Sequence, residues 1–338
     1  TYTTWTPPFT KEKTGRSSYI IARKGAVPKS ERDERMSLLK KLYARRLGTL
    51  LLLVAFCACR PAAATQSVTA PQRVVALLGS YAEAWMLAGG TLAGATDDAM
   101  TERKMSLGAD VRIVGTTKAP HMERIIDIEP DLVLFSTDVC EQTQAAATLA
   151  EMGIHCRGFS VTTYGEYLDM MKTLCALTGR EDLYLEQSRT VREPIESMCN
   201  NARNDPRFGK RTALLLRAYS TGVKAKGSDN MAGAMLSDMG LNNMADGENS
   251  LLESLTLEAI VEADPDYIFV VTMGKDDEKT IEALAESLTD NPAWAGLTAV
   301  REGRYVRLDK MLFHYKPNAR WAESYAFLYA LLYDDETG

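Results

Sequence analysis

The sequence predicts an α/β protein with two lobes, and three observations lead to this fold class. Apolar strand-like runs alternate with helical segments, a pattern typical of parallel sheets that helices cover. The alternation occurs twice and is interrupted at residues 164–204, where two helical segments follow each other. A short module is also repeated, since MERIIDIEPDLVLFS from Met122 aligns with LEAIVEADPDYIFVV from Leu257 at a constant offset of 135 residues.

The first alternation predicts an N-terminal α/β lobe over residues 71–163. Its strands are β-branched or apolar runs, and its helices end at glycine or before proline, which are common helix stops. The predicted strands are RVVALLGS (73–80), TLAGATDD (91–98), VRIVGTT (111–117), DLVLFS and HCRGFS. The predicted helices are YAEAWMLAGG, HMERIIDIE and CEQTQAAATLAEMG.

Residues 164–208 predict a helical connection, and residues 209–338 predict a second α/β lobe. The connection holds the helices YGEYLDMMKTLCALTG and EDLYLEQSRTVREPIESMCNNAR. The second of these is long enough to extend about 35 Å, and Pro194 within it predicts a kink or a joint. The C-terminal lobe holds the strands RTALLLRAY, DYIFVVT and GRYVRLD and the helices DNMAGAMLSDMG, LTLEAIVEA, KTIEALAESLTD and NARWAESYAFLYALLYDD.

The repeated module joins a helix to a strand in each lobe. In both copies proline ends the helix, because the residue before a proline is biased away from the helical conformation, and aspartate opens the strand. A simple helix-to-strand connector would account for this Pro-Asp pair. It would not account for the glutamate near the start of the helix in both copies, Glu123 and Glu258.

The first 60 residues differ in charge from the rest of the chain. They hold 13 Lys+Arg and 4 Asp+Glu, whereas the remaining residues hold 26 and 41. From Met36, basic residues precede a short apolar run and then small residues, which is the pattern of an export signal and is too short for a membrane span. We therefore predict an upstream disordered segment at 1–35 that is not part of the working protein, a signal peptide at 36–59 and a linker at 60–70.

The end of the predicted signal allows more than one processing site. Cys59 follows Ala58, with Phe56 three positions before the cysteine, and this resembles the lipobox of bacterial lipoproteins. We favour lipidation at Cys59, although Cys57 and an ordinary cleavage site near Ala64 stay open.

The acidic body excludes a nucleic-acid partner, because phosphate backbones are bound by clustered Lys and Arg. Four cysteines remain after the signal: Cys140, Cys156, Cys175 and Cys199. An exported chain permits disulfides, but a body of this size does not need them, and we expect buried free thiols.

Four segments in order resemble the substrate-binding proteins of bacterial ABC importers, in the branch that takes up iron–siderophores, haem and cobalamin. They are RVVALLGSYAEAWMLAGG with LAGATD, VGTTKAPHMERIIDIEPDLVLFS, GSDNMAGAMLSDMGLNNMAD with LTLEAIVEADPDYIFVV, and NPAWAGLTAVREGRYVRLD. The resemblance covers roughly residues 71–335. It implies two Rossmann-like α/β lobes joined by a long rigid backbone helix, a shallow ligand cleft between the lobes, little movement on binding and no enzymatic activity.

The resemblance also implies a membrane partner. In the family, one surface glutamate on each lobe docks against arginines of the permease, and the matching positions here are Glu123 and Glu258. A carboxylate at each place can accept charge-assisted, bidentate hydrogen bonds from arginine. The alternative is a pair of solvated glutamates that favour the helix dipole. The implied assembly is a monomeric lipoprotein at the outer face of the cytoplasmic membrane, or a periplasmic protein, working with a permease dimer.

A ligand cleft is expected at the carboxyl ends of the strands in both lobes. Aromatic side chains there would cover a macrocycle or a catechol, and basic ones would pair with an anionic chelate. The candidates are Tyr81, Arg103, Lys118, His121 and Ser136 in the N-terminal lobe and Arg217, Tyr219, Met273, Lys275, His314 and Tyr315 in the C-terminal lobe. Alternatively, Arg103 and Lys118 are ordinary surface charges and Tyr81 packs internally.

Three histidines do not supply a site for a bare metal ion, and no resident cofactor is predicted. His121 and His314 fall in cleft-facing loops, where an imidazole could bond to haem iron. The leading function is therefore capture of a ferric siderophore and its delivery to an ABC permease, with haem or cobalamin as alternative cargo.

Two other classes of function stay open at this stage. Two-lobed chelatases that insert metal into tetrapyrroles have a comparable architecture, but they act in the cytoplasm, and the export signal argues against them. A surface adhesin that merely retains the fold is the third hypothesis, and saturable ligand binding would separate it from the first.

Overall fold

The computed structural model describes residues 70–247, 255–274 and 277–334. The predicted upstream segment, the signal peptide with Cys59 and most of the linker lie outside these residues, as does Lys275. Within them, strands alternate with helices and form two largely parallel sheets, which confirms the predicted α/β fold class. None of the helices in these ranges has the length and apolar composition needed to cross a membrane.

The first sheet forms the core of the N-lobe, as we call residues 71–163. Its strands are β1 (Val74–Ala76), β2 (Leu92–Ala95), β3 (Arg112–Ile113), β6 (Leu132–Ser136) and β7 (Cys156–Phe159), and a separate hairpin holds β4 (Gly115–Thr116) and β5 (Ala119–Pro120). The sheet is parallel in the order β3-β2-β1-β6-β7. Its helices are α1 (Gly79–Leu87), α2 (Asp98–Thr101), α3 (Met122–Ile126) and α4 (Cys140–Glu151). Because the strands are parallel, the loops that follow them meet at one edge.

Three helices connect the two sheets: α5 (Tyr164–Thr178), α6 (Glu181–Gln187) and α7 (Glu193–Asn204). Helix α5 begins with a capping box, in which Thr163 and Glu166 each accept a hydrogen bond from the other residue's backbone N–H. A π-helical turn at Ser188–Arg192 joins α6 to α7 directly before Pro194. This turn is the joint predicted at Pro194, and it fits a proline that has no N–H to donate into the helix.

The second sheet forms the core of the C-lobe, as we call residues 209–338. Its strands are β8 (Arg211–Tyr219), β9 (Gly222–Lys226), β10 (Leu241–Asn243), β11 (Tyr267–Thr272) and β12 (Tyr305–Leu308). The order β10-β8-β11-β12 is parallel, and β9 runs antiparallel on β8. Its helices are α8 (Met231–Asp238), α9 (Leu257–Ala263), α10 (Asp277–Leu284), α11 (Thr298–Arg301), α12 (Lys310–Phe313) and α13 (Trp321–Tyr333). The sequence patterns did not reveal β9, β10 or α12. Of these, β10 and α12, with three and four residues, are too short to show a period.

One hydrophobic core runs through both lobes. Residues of β1 and α1 in the N-lobe, of α5 and α7 in the connection, and of β8, β11 and α13 in the C-lobe belong to the same buried cluster. Two smaller clusters cover the outer faces of the two sheets. Arg207 and Arg211 close the end of α13 by donating to the carbonyls of Tyr333 and Leu332, each at 2.9 Å. The lobes therefore share a middle layer that limits how far they can move apart.

The aspartates of the repeated module tie neighbouring strands together. Asp131 accepts hydrogen bonds from the backbone N–H groups of Gln72 (2.8 Å) and Arg73 (3.0 Å), just before β1. Asp266 accepts from the backbone N–H (2.8 Å) and the hydroxyl (3.0 Å) of Thr212 at the start of β8. These charge-assisted bonds fix the amino ends of the central strands. The Pro-Asp part of the module is therefore scaffold.

Two of the four body cysteines fit the expectation of buried thiols. Cys175 and Cys199 are buried, Cys156 is half-buried and Cys140 is exposed. Cys140 is exposed because it opens α4 at the edge of the N-lobe, where its side chain meets only the Gln144 amide of the next turn, at 3.4 Å.

Candidate functional site

A cavity of about 690 Å³ lies between the two lobes. Its N-lobe wall is built from loops that follow β1, β2, β6 and β7, and its C-lobe wall from residues at or after the ends of β8, β11 and β12. Both sheets therefore direct their carboxyl ends to the same space. The volume is within the range of about 300–1,000 Å³ that is usual for small-molecule sites.

Six of the predicted ligand residues line this cavity. They are Arg103, Lys118, Ser136, Arg217, His314 and Tyr315. All but Lys118 come from the carboxyl-end half of a parallel strand or from the chain that follows one, which was the reason for selecting them. Lys118 lies on the separate β4–β5 hairpin.

Four other predicted residues lie elsewhere. Tyr81 is fully buried in the core, where its hydroxyl donates to the Phe159 carbonyl at 2.9 Å. His121 is exposed and directly precedes α3, and Met273 is half-buried against the core. Tyr219 ends β8, at the hairpin to β9. None of these four lines the cavity. Tyr81 and Met273 pack against the core, Tyr219 lies at the β8–β9 hairpin, and His121 lies on the α3 side of the β4–β5 hairpin.

Arg103 lines the cavity but is held by other parts of the protein. Its guanidinium forms an ion pair with Glu83 and donates to the carbonyls of Tyr315 (2.5 Å) and Lys316 (3.0 Å). The side chain is only 4% exposed. Burial lowers the pKa of Arg103 to about 10, which leaves it charged at neutral pH. Arg103 therefore joins the N-lobe to the C-lobe, and its charge is already neutralised.

Asn318 reinforces the same junction. Its amide donates to the Ser80 carbonyl at 2.8 Å and to the Glu83 carboxylate at 2.6 Å. Together with Arg103, it fixes the segment 314–318 onto the N-lobe. The C-lobe side chains that line the cavity in this segment are thus positioned by N-lobe residues.

Lys316 is the main cavity residue that the sequence did not reveal. Its ammonium donates to the Val161 carbonyl at 2.7 Å and lies 3.4 Å from the Asp138 carboxylate. Both charged residues line the cavity. Lys316 directly follows the predicted ligand residues His314 and Tyr315 in sequence, so this adjacency was the signal that could have identified it.

The carboxylate of Asp98 at the cavity wall is occupied by N-lobe donors. It accepts from the Gly79 N–H at 2.7 Å and from the Thr96 hydroxyl at 2.5 Å. Burial raises the pKa of Asp98, and these hydrogen bonds oppose that shift. Asp98 therefore links the chain after β2 to the start of α1, and its carboxylate has little capacity left to accept hydrogen bonds from a ligand.

Two basic side chains face the cavity with no carboxylate partner in the described part of the chain. Lys118 is exposed on the hairpin between β4 and β5, in the N-lobe. Arg217, near the end of β8 in the C-lobe, makes only a long hydrogen bond of 3.4 Å to the Asn230 amide oxygen. The cavity thus presents one available cation from each lobe.

His314 supplies a neutral imidazole to the cavity. Burial, with the nearby charges of Arg217, Lys310 and Lys316, lowers its pKa to about 4. Its ring packs against the Tyr315 ring, with centroids 4.8 Å apart. A neutral imidazole can accept a hydrogen bond or bind a metal. Among the described residues, no group of three or more His, Cys, Asp or Glu side chains is placed to hold a metal ion.

Residues 74–312 match the model of the family described as periplasmic binding protein. The chain belongs to the periplasmic binding protein family. This match covers both sheets, the connection between them and the cavity lining except His314, Tyr315 and Lys316.

Three similar proteins were compared with this periplasmic binding protein, two by sequence and one by structure. YhfQ of Bacillus subtilis (strain 168), named as an ABC transporter substrate-binding lipoprotein, is 24% identical over 264 residues, which is 72% of this chain and 77% of YhfQ. The iron-uptake system-binding protein of the same organism is 26% identical over 194 residues, which is 56% of this chain and 58% of that protein. Both relatives are transport proteins and not enzymes.

The third is the crystal structure of Staphylococcus aureus IsdE complexed with heme. Its TM-score is 0.64 at 16% identity, and the alignment covers 77% of this chain and 98% of IsdE. At this identity the likeness shows the fold alone.

In this periplasmic binding protein, Glu123 and Glu258 occupy equivalent positions. Each is the second residue of its helix, α3 or α9, and each is exposed. Neither forms an ion pair with another described residue. Two carboxylates at matching places on the two lobes are therefore available to an external partner.

Proposed function

We propose that this protein is the substrate-binding protein of an ABC importer and that its cargo is an anionic ferric chelate, such as a siderophore. The observation that carries the proposal is the pair of available cations, Lys118 and Arg217, on opposite walls of the cavity. The curated relative named for iron uptake supports iron as the metal.

Lys118 and Arg217 on opposite walls favour an anion that spans both lobes, in a cavity that Glu102, Asp138 and Asp229 also line. Arg103 is neutralised by Glu83, and Asp98 is occupied by backbone and hydroxyl donors. Lys118 and Arg217 remain to pair with carboxylate or catecholate oxygens, and such charge-assisted bonds are stronger than neutral ones. The iron would be held by the chelator, and the protein would bind the outer oxygens of the complex.

Binding of a panel of iron complexes to the purified protein tests the proposal. We expect an anionic ferric chelate, such as ferric citrate or a ferric catecholate siderophore, to quench tryptophan fluorescence saturably. The double variant Lys118→Ala with Arg217→Ala should bind it about 100-fold more weakly, because two charge-assisted hydrogen bonds are lost.

The matched control is Lys172→Ala with Arg189→Ala, which removes the same charges from exposed positions on the connecting helices. It should bind as the wild type does. Equal affinities of the cavity double variant and the wild type, or a flat response of the wild type to every complex, would contradict the proposal.

Haem is the second candidate cargo, and His314 is the observation that favours it. A neutral imidazole that lines the cavity beside Tyr315 is suited to bond to haem iron. If haem is the cargo, adding it should give a shifted Soret band, and His314→Ala should abolish that shift. Affinity for ferric citrate should change little in this variant. A Soret shift that persists in His314→Ala would exclude the bond between His314 and haem iron. Including cobalamin in the same panel tests the remaining alternative cargo.

The membrane-side assignments belong to the same proposal. YhfQ is named as a lipoprotein, which supports lipidation of Cys59 and a place at the outer face of the cytoplasmic membrane. Glu123 and Glu258 would then meet arginines of the permease dimer, one from each lobe of a monomeric binding protein.

A further inference from the structure

Lys316 reaches the floor of the cavity from the C-lobe and has its polar contacts in the N-lobe. Its ammonium is 2.7 Å from the Val161 carbonyl oxygen and 3.4 Å from a carboxylate oxygen of Asp138. The Lys316 side chain is 17% exposed, whereas that of Asp138 is 43% exposed. The pair therefore crosses the seam between the lobes and has one largely buried member and one exposed member.

The backbone that carries the Lys316 side chain is held in place. Lys316 has a φ of 47°, in the left-handed region that residues other than glycine rarely adopt. Arg103 holds this conformation by donating to the Lys316 carbonyl at 3.0 Å, and Asn318 ties the chain two residues later to the N-lobe. The Lys316 side chain therefore starts from a fixed point, and its ammonium is anchored by the Val161 carbonyl at 2.7 Å.

Asp138 is the exchangeable partner. Its distance of 3.4 Å from the ammonium is longer than the 2.7–2.9 Å of a strong charge-assisted bond. As an exposed side chain, Asp138 can turn to water at little cost. The Val161 carbonyl, in contrast, belongs to the loop after β7 and keeps its bond to Lys316.

We infer that the Lys316–Asp138 pair sets the ligand charge that the cavity accepts: an anionic oxygen of the ligand replaces Asp138 beside Lys316. The inference rests on the proposed function. It adds a third cation to Lys118 and Arg217, and it assigns Asp138 as the group that competes with the ligand for this cation. Asp138 also repels anions directly, so it admits only ligands able to take its place.

This arrangement predicts opposite effects for the two members of the pair. Removing the charge of Lys316 takes away a ligand contact, so an anionic complex should bind more weakly. Removing the charge of Asp138 takes away a competitor and a repulsion, so the same complex should bind more tightly. If the pair served only to hold the lobes together, both changes would loosen the same seam and shift the affinity in the same direction.

The experiment measures affinity for ferric citrate, which is anionic, and for ferrioxamine B, which is cationic, by tryptophan quenching of the full protein. We expect Lys316→Gln to weaken ferric citrate binding about tenfold and Asp138→Asn to strengthen it about threefold. Ferrioxamine B should show no gain in Asp138→Asn. The control Asp169→Asn removes a carboxylate exposed on α5 and should leave both affinities unchanged. Haem, with two propionates, serves as a second anionic probe, and thermal melts establish that each variant is folded.

Each result decides the inference. Opposite shifts for the two variants support it. Shifts in the same direction, or no shift in folded Asp138→Asn, overturn it while the proposed function stands, because the wild type still binds. A wild type that binds no anionic iron complex of the panel, including ferric citrate, a ferric catecholate and haem, overturns the proposed function and the charge assignment with it.

Discussion

Replacing Arg103 by methionine should lower the free energy of unfolding by about 2–4 kcal/mol. The change removes the ion-pair partner of Glu83, which keeps its hydrogen bond from Asn318, and leaves the Tyr315 and Lys316 carbonyls without their donor. Methionine approximately retains the volume of the side chain, so most of the loss comes from the lost polar contacts. Glu83 is one-third exposed, and water therefore compensates part of its charge. Chemical denaturation followed by circular dichroism measures the difference.

Arg112→Met is the matched control for this variant. Arg112 lies 3.7 Å from Asp127, and both side chains are about half exposed or more. Exposed ion pairs contribute little, so we expect a loss below about 1 kcal/mol. Equal losses for the two variants would show that Arg103 does not hold the lobes together. Weaker ferric citrate binding by folded Arg103→Met would further show that it positions the segment 314–318.

Reversing the charge of both Glu123 and Glu258 to arginine should abolish uptake of the iron complex by cells. Arginine at these places would repel the arginines proposed on the permease and remove the acceptors of their hydrogen bonds. Both glutamates are exposed at the start of short helices, and neither lines the cavity. The affinity of the purified double variant for the iron complex should therefore stay within about twofold of the wild-type affinity. Uptake of radiolabelled iron in a strain that lacks the native protein, together with quenching titrations, provides the two readouts.

The control for this double variant is Glu151→Arg with Glu186→Arg. Glu151 ends α4 and Glu186 lies on α6, and both are exposed. The same change of net charge at these positions should leave uptake intact. Full uptake by the Glu123 and Glu258 variant would remove the docking assignment, and loss of uptake in both pairs would attribute the effect to net charge.

The repeated module shows how far sequence patterns reach. The alignment of Met122 with Leu257 suggested different roles for the aspartates and the glutamates of the module. In the structure, the aspartates hydrogen-bond to neighbouring strands inside the fold, and the glutamates lie on the surface. Periodicity also located the connecting helices and the parallel strands, because each is long enough to bury one face. Short elements such as β10 and α12 have no such period.

Arg103 and Tyr81 show where sequence reasoning stops. Both residue types were suited to a ligand site, but Tyr81 packs in the core, and Arg103 is neutralised by Glu83 and by carbonyls more than 200 positions away. Such partners are invisible in a linear pattern, since they meet only when the two lobes assemble.

The amino-acid sequence alone determined the α/β class, the two lobes and the edge at which ligand residues gather, because these follow from local hydrophobic periods and from the direction of parallel strands. Only the tertiary structure decided which charges remain available in the cavity. A charge is available when no buried partner neutralises it, and that depends on contacts between segments such as 98–103 and 314–318, which the chain brings together only in the folded state.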